Sequence, residues 1–421
     1  MDDSQPMKRS FLWTVLLLLV LGIYLSLMFG HRWWSYAGVP ELEPEFADMY
    51  IILAASDGYR MGIDVFRDNL LDPFGRQYVY SRIWLWIGYT GLSLKDNDLL
   101  GLLLAFTFIF SAVMLLKVGN FLEFVLSALL LLSPAVMLGI ERGNCDLILF
   151  AILGCAGNLS SQKSLSRQAA SASLLYLATF LKYYPVVSFA VFVYAIKTRG
   201  KFWALAAFSA IIVGAYALWS LQDLQLLNKT IPRPDAREGF TFGGALIFNA
   251  LGMSLPHART VALCLGGVLT GIFFSKAPFS LKLPLKQTSP RCVSLFLVGT
   301  SVLLFCFFLN TNYYYRCVFF LLLLPLFFEL LQIQGGSPKA KRVAWAILLL
   351  VGIVSYHGVF RTIAYLTCFF FESPLPIALF KDYFVFFEQT CAWLLMLSLL
   401  SIEAEFLRQP LHFLLKCGAK E

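Results

Sequence analysis

Four short polar segments interrupt an otherwise apolar chain, and they hold the residue types best suited to chemistry. They are residues 45–48, 141–146, 182–185 and 312–316. Ionisable groups at or near membrane depth are costly, so their grouping on one face would indicate a site. Together they offer a carboxylate and several cations. This combination is suited to the transfer of a group away from a phosphate.

The composition indicates a membrane protein. Of the 421 residues, 59% are hydrophobic and 14% are charged, and the mean hydropathy is +0.74. Spanning segments must satisfy their own backbone, and no segment alternates like a barrel strand, so we expect an all-α polytopic membrane protein. The apolar runs that are each about long enough to cross roughly 30 Å of hydrocarbon lie near 11–29, 99–116, 121–138, 202–219, 259–275, 292–309, 317–333, 343–357 and 384–402.

The orientation in the membrane depends on residues 169–196, which could form one long helix or a hairpin broken at residues 182–185. The hairpin places the basic residues of 197–201, 276–291, 339–342 and 408–420 on the cytoplasmic side, as the positive-inside rule requires. Pro185 favours the break because it lacks a backbone donor. We therefore expect about twelve membrane helices (10–12), both termini in the cytoplasm and all four polar segments on the outer face. The net charge of +8 then requires no nucleic acid.

This topology predicts a single domain over residues 1–421, with a long first outer loop at 30–98 and a second at 220–258. The first loop contains two amphipathic stretches, near 49–55 and 83–92. Both are suited to lying in the plane of the membrane interface. A loop of this kind would form a roof over a cavity that faces the lipid.

Asp48 is the candidate general base, because it begins a helix-like stretch in this loop. Its alternative role is that of an N-cap, a position that Asp favours. Glu45 lies about one turn upstream and could share the site, bind a divalent cation together with Asp48, or simply solvate the loop. The histidines are spread too far apart to suggest a metal site, and the cysteines form no CxxC pair.

Arg142, Lys182 and Arg316 are the candidate phosphate-binding residues. Arg can bind two phosphate oxygens at once, and Lys supplies a compact charge. For Arg142 the alternative is a local ion pair with Glu141 or Asp146. For Lys182 it is snorkelling toward the headgroups, and a structural role of this kind is also open for Arg316.

Five further residues are expected to support the site. Asn144 lies in a turn after Gly143, and Asp146 could orient Arg142. Tyr183, Tyr314 and Tyr315 offer rings and hydroxyls that suit contact with a sugar or an isoprenoid chain, although such tyrosines also form interfacial belts.

The order of these segments resembles a known family. An acidic residue precedes "MYIILAASDGYRMGIDVF", and "ERGNCDLILF", "LKYYPVVSF" and "NYYYRCVFFLLLLP" follow. This order is similar to that of the GT-C superfamily of membrane glycosyltransferases, and more closely to its family 87. The resemblance implies a catalytic Asp in the first outer loop, matched by Asp48. It also implies an RGN-D-like turn, matched by 142–146, and a K-x-x-P-like break, matched by 182–185. The chain departs from the family at 80–82, where we expect a Pro-rich turn.

The resemblance implies the transfer of a mannosyl or arabinofuranosyl type of sugar. The donor would be a polyprenyl-phosphate sugar, and the acceptor a hydroxyl of a glycan or glycolipid outside the membrane. We expect an integral protein of the bacterial cytoplasmic membrane that contacts membrane lipids, with the need for a divalent cation left open. Two other functions compete with this one, namely a flippase or transporter for lipid-linked glycans and a glycan polymerase or ligase.

Overall fold

The computed structural model describes residues 4–29, 33–231, 233–234, 240–276, 287–333, 338–356 and 377–415. Residues 277–286 and 416–421, which carry part of the predicted basic inner side, lie outside the described residues.

The helices of the first half of the chain begin with a long apolar helix and continue through the first loop into a helical bundle. They are α1 (Ser4–Phe29), α2 (Trp33–Tyr36), α3 (Ala47–Arg60), two 3-10 helices (Arg82–Thr90 and Leu94–Asp96), α4 (Asn97–Leu116), α5 (Phe121–Leu131), α6 (Pro134–Glu141), α7 (Asp146–Ser160), α8 (Leu165–Leu181), a 3-10 helix (Tyr184–Ala190), α9 (Val191–Ala195) and α10 (Arg199–Trp219).

The second half completes the bundle and adds one short antiparallel strand pair. Its elements are α11 (Leu221–Thr230), β1 (Thr241–Phe242), α12 (Ala245–Ala250), α13 (Leu255–Lys276), α14 (Pro290–Leu309), β2 (Asn312–Tyr313), a 3-10 helix (Tyr314–Leu322), α15 (Leu324–Gln332), α16 (Pro338–Ser355) and α17 (Ile377–Leu415).

Within the described ranges, six helices are long and apolar enough to cross a membrane, by length and composition. Two more spans arise if each of two bent helix pairs counts as one. The predicted all-α polytopic membrane fold is confirmed, while the count of about twelve helices stays a prediction. The six helical segments are Ser10–Phe29, Leu94–Leu116, Arg199–Trp219, Leu255–Ser275, Pro290–Leu309 and Phe384–Leu415.

Both bent pairs have a proline at the start of their second helix. α5 and α6 meet at 50°, where Pro134 begins α6 and the Ser133 hydroxyl accepts from the Val136 N–H. The 3-10 helix Tyr314–Leu322 and α15 meet at 42°, beside Pro325. A proline cannot donate to the preceding turn, so one helix ends and another begins there.

The helix α14 forms the centre of the bundle, since 89% of its spanning window is buried against 6% for α10. An apolar helix with so little protein contact faces the lipid. α17 runs antiparallel to α14. Trp393 packs on Phe307, and Ser301 Oγ donates to Glu403 Oε1 at 2.6 Å.

Contacts of Arg291, at the start of α14, distinguish the two ends of the bundle. Its guanidinium donates to Leu115 O at the end of α4 (2.5 Å) and to Asn158 Oδ1 near the end of α7 (2.7 Å). The starts of α4 and α7 therefore lie at the other end, together with the end of α14. We call that end, which holds Asn97 and Asp146, the site end.

The chain from α8 through α9 forms the predicted hairpin, with its tip at the site end. α8 runs antiparallel to α7, with Ser171 Oγ donating to Ala156 O (2.8 Å), and it ends at Leu181. After Pro185 the chain returns toward the opposite end. There Arg199 Nε donates to Leu414 O, near the end of α17 (3.4 Å). The break at residues 182–185 thus delivers Lys182 to the site end.

The first loop contributes most of a small hydrophobic core, built from α3, the 3-10 helix Arg82–Thr90 and the segment between them, together with Cys145 from the turn after α6. Ser56 Oγ donates to Leu85 O (2.8 Å) and accepts from the Gly88 N–H (2.7 Å), which joins the two helices. Both amphipathic stretches predicted in this loop are therefore helical. Their placement in the plane of the interface stays a prediction.

Three contacts attach this loop to the hairpin, to the end of α10 and to α11. The Arg82 guanidinium donates to both oxygens of Asp223, at 2.8 and 2.6 Å. Trp84 Nε1 donates to Leu181 O (3.0 Å), and the hydroxyls of Ser81 and Tyr216 are 2.6 Å apart. Since Leu181 immediately precedes Lys182, the loop that carries Asp48 is held against the tip of the hairpin.

Candidate functional site

Asp48 is the second residue of α3, and its carboxylate does not cap that helix. The N-cap is Phe46, in a left-handed conformation (φ 53°) with no side-chain cap. The Asp48 N–H donates to Arg142 O at 2.8 Å, so the turn after α6 closes the start of α3. The capping alternative for Asp48 is wrong, and its carboxylate is available for contacts with other segments.

Gly143 permits the close approach of these two segments. Its φ of +58° is in the left-handed region, which favours glycine. A Cβ built on Gly143 would lie 2.8 Å from Phe46 Cβ and 3.2 Å from Met49 Cβ. A larger residue would therefore push the turn at 141–146 away from the helix that carries Asp48.

Asn144 joins the two carboxylates of the site. Its buried side chain donates from Nδ2 to Asp48 Oδ2 (2.5 Å) and accepts at Oδ1 from the Asp146 N–H (2.9 Å). Because the Asn144 amide donates to one partner and accepts from the other, the two partners fix its orientation. Asn144, predicted as a turn residue, thus orients Asp48.

Asp146 is the centre of a buried ionic cluster. Its Oδ1 accepts from Lys182 Nζ and from the Tyr184 hydroxyl, each at 2.7 Å, and its Oδ2 accepts from Arg316 Nη1. The expectation that Asp146 orients Arg142 is wrong, because its side chain contacts these cations instead. A carboxylate that accepts from three donors is poorly suited to accept a proton as a general base.

The two cations are surrounded by aromatic rings. Lys182 Nζ lies 5.4 Å from the centroid of the Tyr80 ring and 5.9 Å from that of Tyr315. The Arg316 guanidinium lies 4.4 Å from the Tyr184 ring centroid. Snorkelling does not describe Lys182, whose ammonium points into this cluster. Rings around a cation attract it by their quadrupole and exclude water from it.

Arg142 has a local ion pair, which is the alternative left open from the sequence. Its guanidinium lies 3.1 Å from Glu141 Oε2 and donates to Pro40 O at 3.1 Å. Glu141 also accepts from the Leu42 N–H at 2.8 Å. Arg142 therefore binds the segment before α3. Its assignment as a phosphate contact stays a prediction.

The remaining predicted residues lie around the cluster at different depths. Glu45 is exposed, and its carbonyl accepts from Asn97 Nδ2 (2.8 Å). The Tyr183 ring packs on Tyr216 at 5.7 Å, and Tyr314 is buried against Phe242 at 6.3 Å. Of the three predicted tyrosines, Tyr315 is the one that flanks both cations. In the part of the chain that the structure describes, no group of three or more His, Cys, Asp or Glu could hold a metal ion.

The sequence did not single out Arg76 or Tyr80. Arg76 binds both Asp72 oxygens with its side chain (2.7 and 3.1 Å), and its Nη1 lies 3.7 Å from Asp48 Oδ1. Burial lowers its pKa, but Asp72 and Asp48 outweigh this and raise it. Tyr80 lies beside Lys182. The one sequence signal for this region was the departure from the family pattern at residues 80–82.

Comparison with known proteins gives a distant match. No family model and no curated protein matches the sequence. Among solved structures, the crystal structure of ArnT from Cupriavidus metallidurans in the apo state is similar, with a TM-score of 0.40 and 13% sequence identity. The match covers 92% of this chain and 76% of that chain. A likeness of this strength is too distant to assign a function to the chain.

Proposed function

We propose that the protein is a glycosyltransferase that moves a sugar from a polyprenyl-phosphate donor to a hydroxyl of a glycan or glycolipid. The observation that carries the proposal is the junction at Asn144. There a partly exposed carboxylate, Asp48, is held next to a cluster with two cations, Lys182 and Arg316. Sugar transfer from a phosphate needs a base for the incoming hydroxyl and positive charge for the leaving group.

Asp48 would act as the base. The acceptor oxygen forms a bond to the anomeric carbon, and the bond from that carbon to the phosphate oxygen breaks. The electron pair of the broken bond goes to the leaving polyprenyl phosphate, and the acceptor proton goes to Asp48. The transition state resembles an oxocarbenium ion, which a nearby carboxylate also stabilises.

Lys182 and Arg316 would bind the leaving phosphate while still paired with Asp146. Two of the three Lys182 N–H groups are directed to Asp146 and Cys145. The Arg316 guanidinium contacts Asp146 and, more weakly, Asn312 (3.4 Å). Counted over the described residues, both side chains therefore have donors left, and both are partly exposed, at 16% and 10%. The leaving group would share these cations with Asp146, which keeps them in place between turnovers.

Asn144 and Arg76 would set the position of the base. A hydrogen bond from Asn144 fixes Asp48 Oδ2, and Arg76 Nη1 lies 3.7 Å from Asp48 Oδ1. The carboxylate is therefore held between the two groups.

The test is a turnover assay with purified protein in proteoliposomes. A panel of polyprenyl-phosphate hexoses and pentoses, each labelled in the sugar, is supplied with a glycolipid acceptor fraction. We expect one donor to be consumed, with one polyprenyl phosphate released for each sugar transferred. Labelled donor that crosses the bilayer unconsumed would support a flippase and contradict the proposal, and long products would indicate a polymerase.

A further inference from the structure

A shallow apolar groove lies between α1 and α4. Residues of both helices line it, among them Leu25 and Phe106, which are exposed. The one hydroxyl of the lining, that of Tyr24, is already used, since it donates to a backbone carbonyl of α5 at 2.6 Å. Beyond the groove, away from the site end, the Trp13 and Phe110 rings contact each other across the two helices at 6.5 Å. The groove therefore offers a ligand apolar contacts only, which suits a hydrocarbon chain.

Toward the site end, this groove approaches the segment that carries Asp48. Ala105 lines the groove, and Gly101 lies one turn before it in α4. A Cβ built on Gly101 would lie 2.2 Å from Phe46 Cγ, so the Phe46 ring rests on α4 at this point. Phe46 is the N-cap of α3, two positions before Asp48. The groove thus comes within one helical turn of the contact between α4 and the start of α3.

A polar group follows on the same face of α4. Asn97 precedes Gly101 by four positions, and this spacing places both on one face of the helix. Asn97 Nδ2 donates to Glu45 O at 2.8 Å, while its buried Oδ1 has no hydrogen-bond partner among the described residues. Buried acceptors normally have a partner. A face that is apolar along the groove and has an unpaired acceptor at the site end suits an amphiphile whose head group lies toward the site.

We propose that the groove between α1 and α4 holds a hydrocarbon chain of the sugar acceptor, so that the acceptor is a glycolipid and not a free glycan. The inference rests on the proposed function and narrows its acceptor class. The two cations that would bind the donor phosphate lie beyond Asn144 and Asp146. A groove that approaches from the Phe46 side therefore leads to the base, which must contact the acceptor hydroxyl.

The contribution of the groove would be to position the acceptor. Lipid tails are as apolar as the groove, so a chain gains no hydrophobic free energy by leaving the bilayer for it. A chain held along α1 and α4 instead fixes the depth and direction of its head group. We therefore expect the groove to affect kcat/KM for the acceptor and to leave the KM of the donor unchanged.

The Leu25→Trp variant fills the groove, and Leu19→Trp is its matched control. Both leucines are exposed on α1, at 36% and 40%, but Leu19 does not line the groove. The assay uses proteoliposomes with a labelled polyprenyl-phosphate sugar and a glycolipid fraction. Leu25→Trp should lower kcat/KM for the acceptor roughly tenfold, as for an overpacked apolar contact. Leu19→Trp should match the wild type.

Removal of the acyl chains from the same glycolipid fraction by mild alkali gives a second comparison. The effect of Leu25→Trp should disappear with the deacylated fraction, because no chain is left to meet the new indole. An equal loss with both fractions would overturn the inference, and so would wild-type kcat/KM in Leu25→Trp. A change confined to the KM of the donor would also overturn it, since the donor chain would then occupy the groove. Each of these results leaves the proposed function intact.

Photocrosslinking of the wild type tests the groove without any substitution. A glycolipid fraction from cells fed a diazirine fatty acid should label the groove-lining peptides of α1 and α4 more strongly than those of α10. The helix α10 is the control, because it is more exposed to lipid than either. Equal or stronger labelling of α10 would overturn the inference alone. A wild-type protein that transfers sugar from none of the donors would overturn the proposed function, and the assignment of the groove to an acceptor with it.

Discussion

Asp48 and Asp146 are joined by one asparagine, yet their surroundings are opposite. The Asp146 side chain is 1% exposed and accepts from Lys182, Tyr184 and Arg316. The Asp48 side chain is 16% exposed, with one short hydrogen bond and one cation at 3.7 Å. Two identical functional groups thus divide into a counter-ion and a candidate base. The number of donors around each carboxylate, and its access to solvent, make the difference.

Replacement of the base should have the largest effect. In Asp48→Asn the side-chain oxygen can still accept from Asn144, so the fold should persist. The base is lost, and transfer should fall by about two to four orders of magnitude. The measurement is the single-turnover rate with saturating donor. Asp64→Asn is the control, because Asp64 is 58% exposed and its carboxylate pairs with Arg67 at 3.3 Å. Full activity in Asp48→Asn would remove the distinction between the two carboxylates.

Replacement of the counter-ion should act mainly on stability. Asp146→Asn leaves Arg316 and Lys182 without their negative partner in a buried place, and loss of one partner of such a cluster costs about 3–5 kcal/mol. Thermal unfolding in detergent should show this loss, even with no donor present. Asp48→Asn should unfold close to the wild-type temperature in the same assay. Equal destabilisation by the two substitutions would contradict the comparison.

Loss of one cation should weaken use of the donor. Lys182→Ala removes a charge-assisted contact, which contributes about 1.5–3 kcal/mol, so kcat/KM for the donor should fall roughly tenfold to hundredfold. Lys182→Arg should retain more activity, because it keeps a positive charge near Asp146. An unchanged kcat/KM in Lys182→Ala would show that the cluster around Asp146 is structural alone.

The smallest effect on transfer is expected at Arg142. The guanidinium is engaged by Glu141 and Pro40, so Arg142→Ala should change kcat/KM of the folded protein by roughly twofold or less, as for a residue outside the reacting site. A tenfold loss of donor use at unchanged stability would instead support the phosphate contact predicted from the sequence. This variant sharpens the comparison, because it shows which cations belong to the site of Asp146.

The sequence predicted the local structure of the site segments better than the contacts between their side chains. Pro185 predicted the break that delivers Lys182 to the site end, and the amphipathic stretch at 49–55 predicted the helix that begins beside Asp48. These are local properties of the chain. The pairing of Asp146 with Lys182 and Arg316 depends on how α7, the hairpin and the segment after α14 pack together. Because Arg142 is close to Asp146 in the sequence, it was wrongly expected to be the partner of Asp146.

Arg76 and Tyr80 could not be found for a related reason. They lie between the two amphipathic stretches of the first loop, in a segment where no periodicity singles out one polar or aromatic residue from another. Only packing distinguishes Tyr80, whose ring lies beside Lys182, from Tyr78, whose hydroxyl donates to Ser81 O.

The span between Asp146 and Arg316 has a consequence for biogenesis. These two partners are 170 positions apart, and Lys182 is much closer to Asp146 in the chain. A growing chain therefore inserts Asp146 with one cation long before the second is synthesised. Until the segment at 312–316 packs, the buried carboxylate lacks a full set of partners, and the bundle around it is less stable. An incomplete chain therefore lacks the full ionic cluster on which the proposed site depends.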